Sequence, residues 1–243
     1  MVGTAMARIV VTQMVVGVLV LFSAVFARAE VVSVDFAPDS VFVPTGFDDN
    51  DNSQIVLDGE FPSTCFRVMD TKVKVDKTKK VIEVTDKALY YKGQTCMDMQ
   101  VSYFKSIQLG ILASGSYSVK VKEAGGVFKH MAILNVGKAA IASPDNFVYA
   151  PVDEAHLDLT GVVPRVVVSG IFRKSCLKFQ GIRVKVTGQV VEVLPIVEED
   201  GSICGDAIQS FEESKEVPGL PSGRVLLHVR SLNGQAFNRM LSL

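Results

Sequence analysis

The sequence predicts an all-β protein made of two tandem β-sandwich domains related by internal duplication, each with one disulfide. Three observations predict it. Apolar runs of Val, Ile, Phe and Thr are short, alternate with polar residues and are punctuated by Gly, Pro, Asp and Asn, the pattern of half-buried strands. The second half of the chain repeats motifs of the first in the same order. The four cysteines divide two to each copy.

The chain opens with a segment that stands apart from this pattern. Arg8 precedes the apolar run "IVVTQMVVGVLVLFSAVF", which ends in "ARA" before Glu30. A basic start, an apolar centre and an A-x-A end predict a secretory signal peptide over residues 1–29. The competing reading is a retained anchor, because the run approaches the roughly 20 residues that span a bilayer; the small residues before Glu30 favour cleavage. Removal takes Arg8 and Arg28 from the 25 basic side chains and none of the 26 acidic ones, leaving a net charge of −3. So balanced a charge does not suggest a nucleic-acid or anionic-membrane surface, and with the signal removed no nucleic-acid partner and no stable membrane insertion is expected.

Setting "IVLDGEFPSTCFR" over "VVVSGIFRKSCLK" brings Gly59 to Gly170, Phe61 to Phe172 and Cys65 to Cys176. "KVKVDKTKKVIEV" then meets "RVKVTGQVVEV", "GQTC" meets "GSIC", and "LASGSYSVKV" meets "LPSGRVLLHV". Ordered matches of this kind are the mark of a duplication. They set one domain over residues 30–141 and a second over 142–243, joined near "ASPDN".

Within a copy, "KVKVD" and "YSVKVK" alternate strictly, so Tyr117, Val119 and Val121 share one face and Ser118, Lys120 and Lys122 the other. "DKTKK" reads as a hairpin turn that the second copy tightens to "TGQ". "MDMQVSYFKSIQLGIL" comes nearest to a helical period and is the one place where a short helical turn is expected. Strands with one apolar face each must hide it against a second sheet, which gives the sandwich.

Four cysteines allow three pairings. The duplication selects Cys65 with Cys96 and Cys176 with Cys204, since each copy then carries its own bond, in the compartment where disulfides persist. Each bond closes a loop of about 30 residues and stabilises its domain by about 3–4 kcal/mol. Resemblance to immunoglobulin-like domains is one of architecture: the chain has no Trp, and its cysteine spacing does not pin two sheets as in that family. The bonds are expected to tie neighbouring loops or strand ends.

Little else carries chemistry. His130, His156 and His228 stand alone, without metal-ligand spacing; His130 and His228 align with Arg239 and Lys120, on strand faces expected to meet solvent. No nucleophile elbow, phosphate loop or dinucleotide fingerprint occurs. Met97 and Met99 beside Cys96 read as packing, because a disulfide leaves no thiolate for a soft metal.

The exception is "FDDNDNSQIVLDGEF". Asp48, Asp49 and Asp51, with Asn50 and Asn52, offer oxygens for calcium. Counting from Asp49 gives a partial EF-hand spacing, but position 6 is Gln54 where the turn needs Gly, and Ile55–Leu57 read as strand. The second copy has no carboxylates there. A looser calcium site at the rim of a sandwich and a strand-leading turn capped by Asp and Asn are the two readings that remain.

The function expected from these observations is an exported, non-enzymatic binding or structural module of the envelope, secreted or periplasmic, recognising a protein or cell-surface ligand through sandwich edges and end loops. The alternatives are a periplasmic chaperone-like protein holding clients by strand addition and, in another class, a hydrolase or inhibitor with a loop-borne site.

Overall fold

The structure, a computed structural model, describes residues 30–142, 147–201 and 203–243. The signal peptide read over residues 1–29 and most of the "ASPDN" joint lie outside them. The first half contributes β1 (Glu30–Asp35), β2 (Ser40–Phe42), β3 (Phe47–Asp48), β4 (Asn52–Phe61), β5 (Phe66–Val68), β6 (Lys72–Asp76), β7 (Val81–Thr85), β8 (Lys87–Lys92), β9 (Val101–Ile111), β10 (Gly115–Lys122) and β11 (Phe128–Gly137). The second half contributes β12 (Val148–Tyr149), β13 (Glu154–Asp158), β14 (Arg165–Lys174), β15 (Leu177–Thr187), β16 (Val190–Glu199), β17 (Asp206–Glu216), β18 (Arg224–Ser231) and β19 (Gln235–Ser242). The one helical element among the described residues is a 3-10 turn at Leu232–Gly234. The stretch nearest to a helical period is strand β9, because its pairing with β4 from Asn52↔Ile111 to Phe61↔Val101 outweighs local preference.

Every strand pairs within its own half. The first half forms β3-β11-β10-β7-β6, β2-β4-β9 and the small sheet β1-β8-β5; the second forms β12-β16-β18-β19, with β15 on β16, and β13-β14-β17. The apolar clusters order the larger sheets into four layers. Ile55 and Leu57 of β4 pack on Ile82, Val84, Tyr117, Val119 and Val121 of β7 and β10. At the other end Val166 and Val168 of β14 pack on Val191, Val193, Val225 and Leu227 of β16 and β18. The two inner layers meet through Phe42 and Val56 on one side and Val190 and Leu226 on the other. The alternation expected of "YSVKVK" is present, with Tyr117, Val119 and Val121 all buried.

The same pairings recur in both halves. β10 runs parallel to β7 from Ser118↔Val81, and β18 runs parallel to β16 from Leu226↔Val190. Each crossover begins with one backbone bond, Ser118 N–H to Lys80 O and Leu226 N–H to Gln189 O, both at 2.9 Å. The β6–β7 hairpin is capped by the Asp76 carboxylate, which accepts from the N–H groups of Thr78 and Lys79. Its counterpart turns through Gly188 at φ +57°, a left-handed conformation that suits Gly. Gly59 and Gly170 lie opposite Tyr103 and Phe211, and a Cβ on either would stand 2.9 Å from the ring. An aromatic covers a glycine in each half; at Gly59 the Tyr103 ring alone crowds a Cβ, whereas at Gly170 the Pro151 carbonyl oxygen, closer still to that position, excludes it more strongly than Phe211 does.

Cys65 bonds Cys96 and Cys176 bonds Cys204, with Cα atoms 5.5 and 4.9 Å apart. Each joins a turn at a strand end to the loop leaving the neighbouring strand.

Candidate functional site at the seam between the halves

Strand β4 shows why the halves close on each other. From Ser53 to Gly59 every residue is buried, on both faces. The inward face is the core of the first half. The outward face, Gln54, Val56 and Asp58, needs a second cover, and the outward face of β16, β18 and β19 supplies it. Val56 and Phe42 meet Val190, Leu226 and Met240. Burying such a side chain is worth about 1.5–3 kcal/mol.

Polar pairs ring this apolar centre. Arg224 of β18 donates Nε to Asp58 Oδ2 at 3.1 Å and a terminal nitrogen to Oδ1. The Asp58 carboxylate holds the guanidinium pKa above its ordinary value. Glu192 of β16 accepts from the backbone N–H of Thr45 and from its hydroxyl, the latter at 2.6 Å. Asn238 of β19 donates to Gln54 Oε1 and Ser106 Oγ, both at 3.0 Å. Arg230 donates to Gly46 O at 2.6 Å and to Asp51 Oδ2 at 3.3 Å, and its guanidinium lies 4.7 Å from the centre of the Phe47 ring.

His228 corrects the sequence reading, which put it on a solvent face. It is fully buried in the seam, its ring edge-on to Phe47 at 6.2 Å and its Nδ1 2.7 Å from Asn238 Oδ1. Nε2 has no hydrogen-bond partner. Burial pushes its pKa down to about 4, against the pull of Asn238 and with the help of Arg230. The face aligned with Lys120 is open in the first half and covered in the second. His130 is exposed as expected, with Nδ1 2.8 Å from Ser118 Oγ.

Two hollows flank the seam where Phe147–Tyr149 enter the second half. One, of about 400 Å³, is lined by Asn50, Asn52, Ile111, Tyr149 and Asn233. The other, of about 330 Å³, is lined by Thr45, Phe147, Tyr149, Arg183, Lys185 and Leu194. Arg183 stacks 4.6 Å over Phe147, and Lys185 lies 3.1 Å from the Thr45 hydroxyl. With Glu192 and Arg230 engaged in the seam, Arg183 and Lys185 give this second hollow a basic, aromatic mouth.

The acidic stretch forms a turn between β3 and β4. Asp51 N–H donates to Asp48 O at 3.0 Å, and the Asp51 carboxylate accepts from Asp48 N–H at 2.9 Å. Asp51 is buried and faces Arg230. Asp49 turns to Lys138, 2.6 Å from Nζ, and accepts from Ala139 N–H, which together hold its pKa below the ordinary value. Asp48 pairs with Gly137 at the end of the β3–β11 ladder. The structure thus brings Asp48 and Asp51 together through backbone bonds and sends the Asp49 and Asp51 carboxylates to different cations. Among the described residues, the one cluster of metal-ligand types is Cys176, Glu199 and Cys204, whose thiols are spent in a disulfide.

A second buried polar cluster lies in the first half, where β7 ends and β8 begins. The Asp86 carboxylate accepts from Lys105 Nζ at 2.5 Å and from Thr71 Oγ1 at 2.7 Å, with Tyr103 Oη at 3.4 Å. Burial, then the Asp86 charge, push the Tyr103 hydroxyl pKa up. Lys105 Nζ also reaches Met69 O at 2.5 Å. The cluster fastens the break that separates β5 from β6 and β7 from β8.

Apart from Asp51, the seam residues were absent from the sequence candidates. Their signal was faint but present: "SQIVLD" does not alternate as a half-buried strand should, and the second half carries Leu226 at the position aligned with Ser118 of the first.

Residues 55–130 match the sequence model of the ORF11 beta-sandwich domain. The match lies within the first half and runs from inside β4 to inside β11. No curated protein and no solved structure matched the chain.

Proposed function

We propose that the protein is an exported, non-enzymatic binding module of the cell envelope or exterior, made of two copies of one immunoglobulin-like domain, which takes an anionic group of a protein or cell-surface ligand beside their seam. The observation that carries the binding reading is the hollow at Arg183 and Lys185, walled by Phe147, Tyr149 and Leu194. Apolar walls with a few fixed cations fit a carboxylate borne on a larger molecule. Glu192 on Thr45 and Arg230 on Gly46 hold the one first-half side of that hollow against its second-half walls, so little ordering is left for binding to impose. Two disulfides accord with an oxidising compartment. The duplication is supported by the matched crossovers, disulfides and aromatic-over-glycine contacts.

The test is a titration of isotope-labelled protein, from Glu30 onward, with a uronate oligosaccharide and with a Glu-rich peptide, followed by amide shifts. Shifts centred on Arg183, Lys185 and Tyr149 that vanish in Arg183→Ala support the reading. Neither probe moving those amides would sink it. The duplication has its own test: residues 30–141 and 142–243 expressed separately should each fold around one disulfide.

A second reading, strand addition by a client, is favoured by β17. It is an eleven-residue edge bonded on one side only, to β14, among the described residues, and such edges accept strands. A bound peptide that protects β17 amides from exchange would support it.

A further inference from the structure

We infer that the chain stacks head to tail on further copies of itself, the outer face of β13-β14-β17 on one copy docking on the outer face of β6-β7-β10-β11 on the next. This inference rests on reading the halves as two copies of one domain. In that reading the seam is a contact between unlike faces: β2-β4-β9 of the first copy covers β16-β18-β19 of the second. Each copy therefore has both kinds of face, and the seam uses one from each. The unused pair sits on the two outer layers of the stack. A contact between unlike faces does not close on itself after two partners, so its repetition makes an open chain of molecules or, where the rotation closes, a ring.

The outer faces are complementary in charge. With Val166, Val168 and Phe172 of β14 turned to the core, the alternate positions Arg165, Val167, Ser169 and Ile171 point outward. Their register partners place Glu154 and Glu212 on either side of Ser169, and Asp158 and Glu216 on either side of Arg165. This face has four carboxylates to two guanidiniums, Arg165 and, at its end, Arg173, and a shallow groove of about 420 Å³ runs between Glu154 and Glu212.

At the other end of the stack, Ile82, Val84, Tyr117, Val119 and Val121 point to the core, so Glu83, Ser118, Lys120 and Lys122 point outward. Lys120 lies between Glu83 and His130, and Lys74 lies beyond Glu83. With Lys72, this face carries four lysines to two carboxylates, Glu83 and Asp76, and Lys122 at its edge is bonded to Asp35 at 3.0 Å. Lys72 and Lys74 are exposed, and Ile133, opposite Ser118, is 54% exposed. Where the seam has Leu226 and Phe42, the outer faces have Ser118 and His156 at matched register. The outer contact is thus the polar version of the seam: it is ionic, weaker and sensitive to salt.

Sedimentation velocity of the chain from Glu30 onward tests this. At low ionic strength the mean mass should rise with concentration from about 10 μM to about 1 mM and pass beyond a dimer, and about 0.5 M NaCl should weaken association at least tenfold. Lys74→Glu with Lys120→Glu, and Glu154→Lys with Glu212→Lys, should each give monomers. An equal mixture of the two variants should associate again, because each then offers the face that the other lacks. If a reversed pair fails to fold, Glu154→Gln with Glu212→Gln should weaken association at least tenfold. A monomer under all conditions, association that survives salt and both reversals, or a mixture that stays monomeric would overturn the inference. Monomers from a chain whose separate halves fold would remove stacking and leave the duplication standing. Separate halves that do not fold would remove the duplication, whatever the sedimentation shows.

Discussion

Arg224 and Asp58, 166 residues apart in the chain, meet across the seam as a two-point pair in which Arg224 Nε stands 3.1 Å from Asp58 Oδ2. The Asp58 side chain is 7% exposed and that of Arg224 is 34% exposed. That asymmetry sets the expected behaviour. Arg224→Ala leaves a carboxylate in the seam without its cation and should cost about 2–3 kcal/mol. Asp58→Ala leaves a guanidinium that can reach water and should cost less. Urea unfolding of both single variants and the double variant gives the coupling. Strictly additive effects would mean that the pair does not hold the halves together.

His228 makes the seam sensitive to acid. Its folded pKa of about 4 lies below the ordinary value of 6.5. Below pH 6.5 the unfolded chain binds a proton that the folded chain refuses until about pH 4, so stability falls as pH drops through that window. The loss approaches about 3 kcal/mol at its lower end. Asp35 and Asp49, held below their ordinary value by Lys122 and Lys138, lose their contribution in a lower window, below about pH 4. Urea midpoints at pH 7.5, 5.5 and 4.5 should decline in the native protein and much less in His228→Gln. Equal slopes for the two would remove His228 as the source.

The Asp86–Lys105 pair should behave as a buried ion pair. Lys105→Met strands the Asp86 charge with only Thr71 and Tyr103 as donors, and should cost about 3–5 kcal/mol. Adding Asp86→Leu to Lys105→Met should recover a large part, because an apolar pair of similar volume removes the stranded charge. A double variant no better than Lys105→Met would assign the loss to packing around Lys105 instead of charge.

The alternation of "KVKVD" and "YSVKVK" gave away their strands because each has one covered face, and side-chain period then reports burial directly. The disulfides were legible for a different reason: reading the halves as a repeat restricts three pairings to one. The seam was not legible. Arg224, Glu192 and His228 sit at alternate outward positions, where sequence periodicity says "solvent" whether the cover is water or a second domain. Only the failure of alternation in "SQIVLD" and the apolar Leu226 hinted at a second cover. Break points were equally hidden. The first half divides its long hairpin at Asp86, whereas the second carries β15 and β16 through without a break, with a register shift between Phe179 and Gly181.

Calcium is the remaining question for Asp48, Asp49 and Asp51. An ion bound by all three would have to take Asp49 from Lys138 and Asp51 from Arg230, and the second exchange would open the seam around Phe47. Those exchanges oppose binding, so the expected outcome is no change in Tm between chelator and about 1 mM calcium. A site with Kd near 10 μM would instead stabilise the fold by about 2.7 kcal/mol, a rise of several degrees for a chain this size. If such a rise appeared and Asp49→Ala abolished it, the turn would be a metal loop and the Lys138 pair its empty form. Without it, Asp51→Ala should still lower Tm, because Arg230 loses a carboxylate that is only 3% exposed. That loss should be the same in chelator and in calcium, which separates a carboxylate that holds the seam from one that holds an ion.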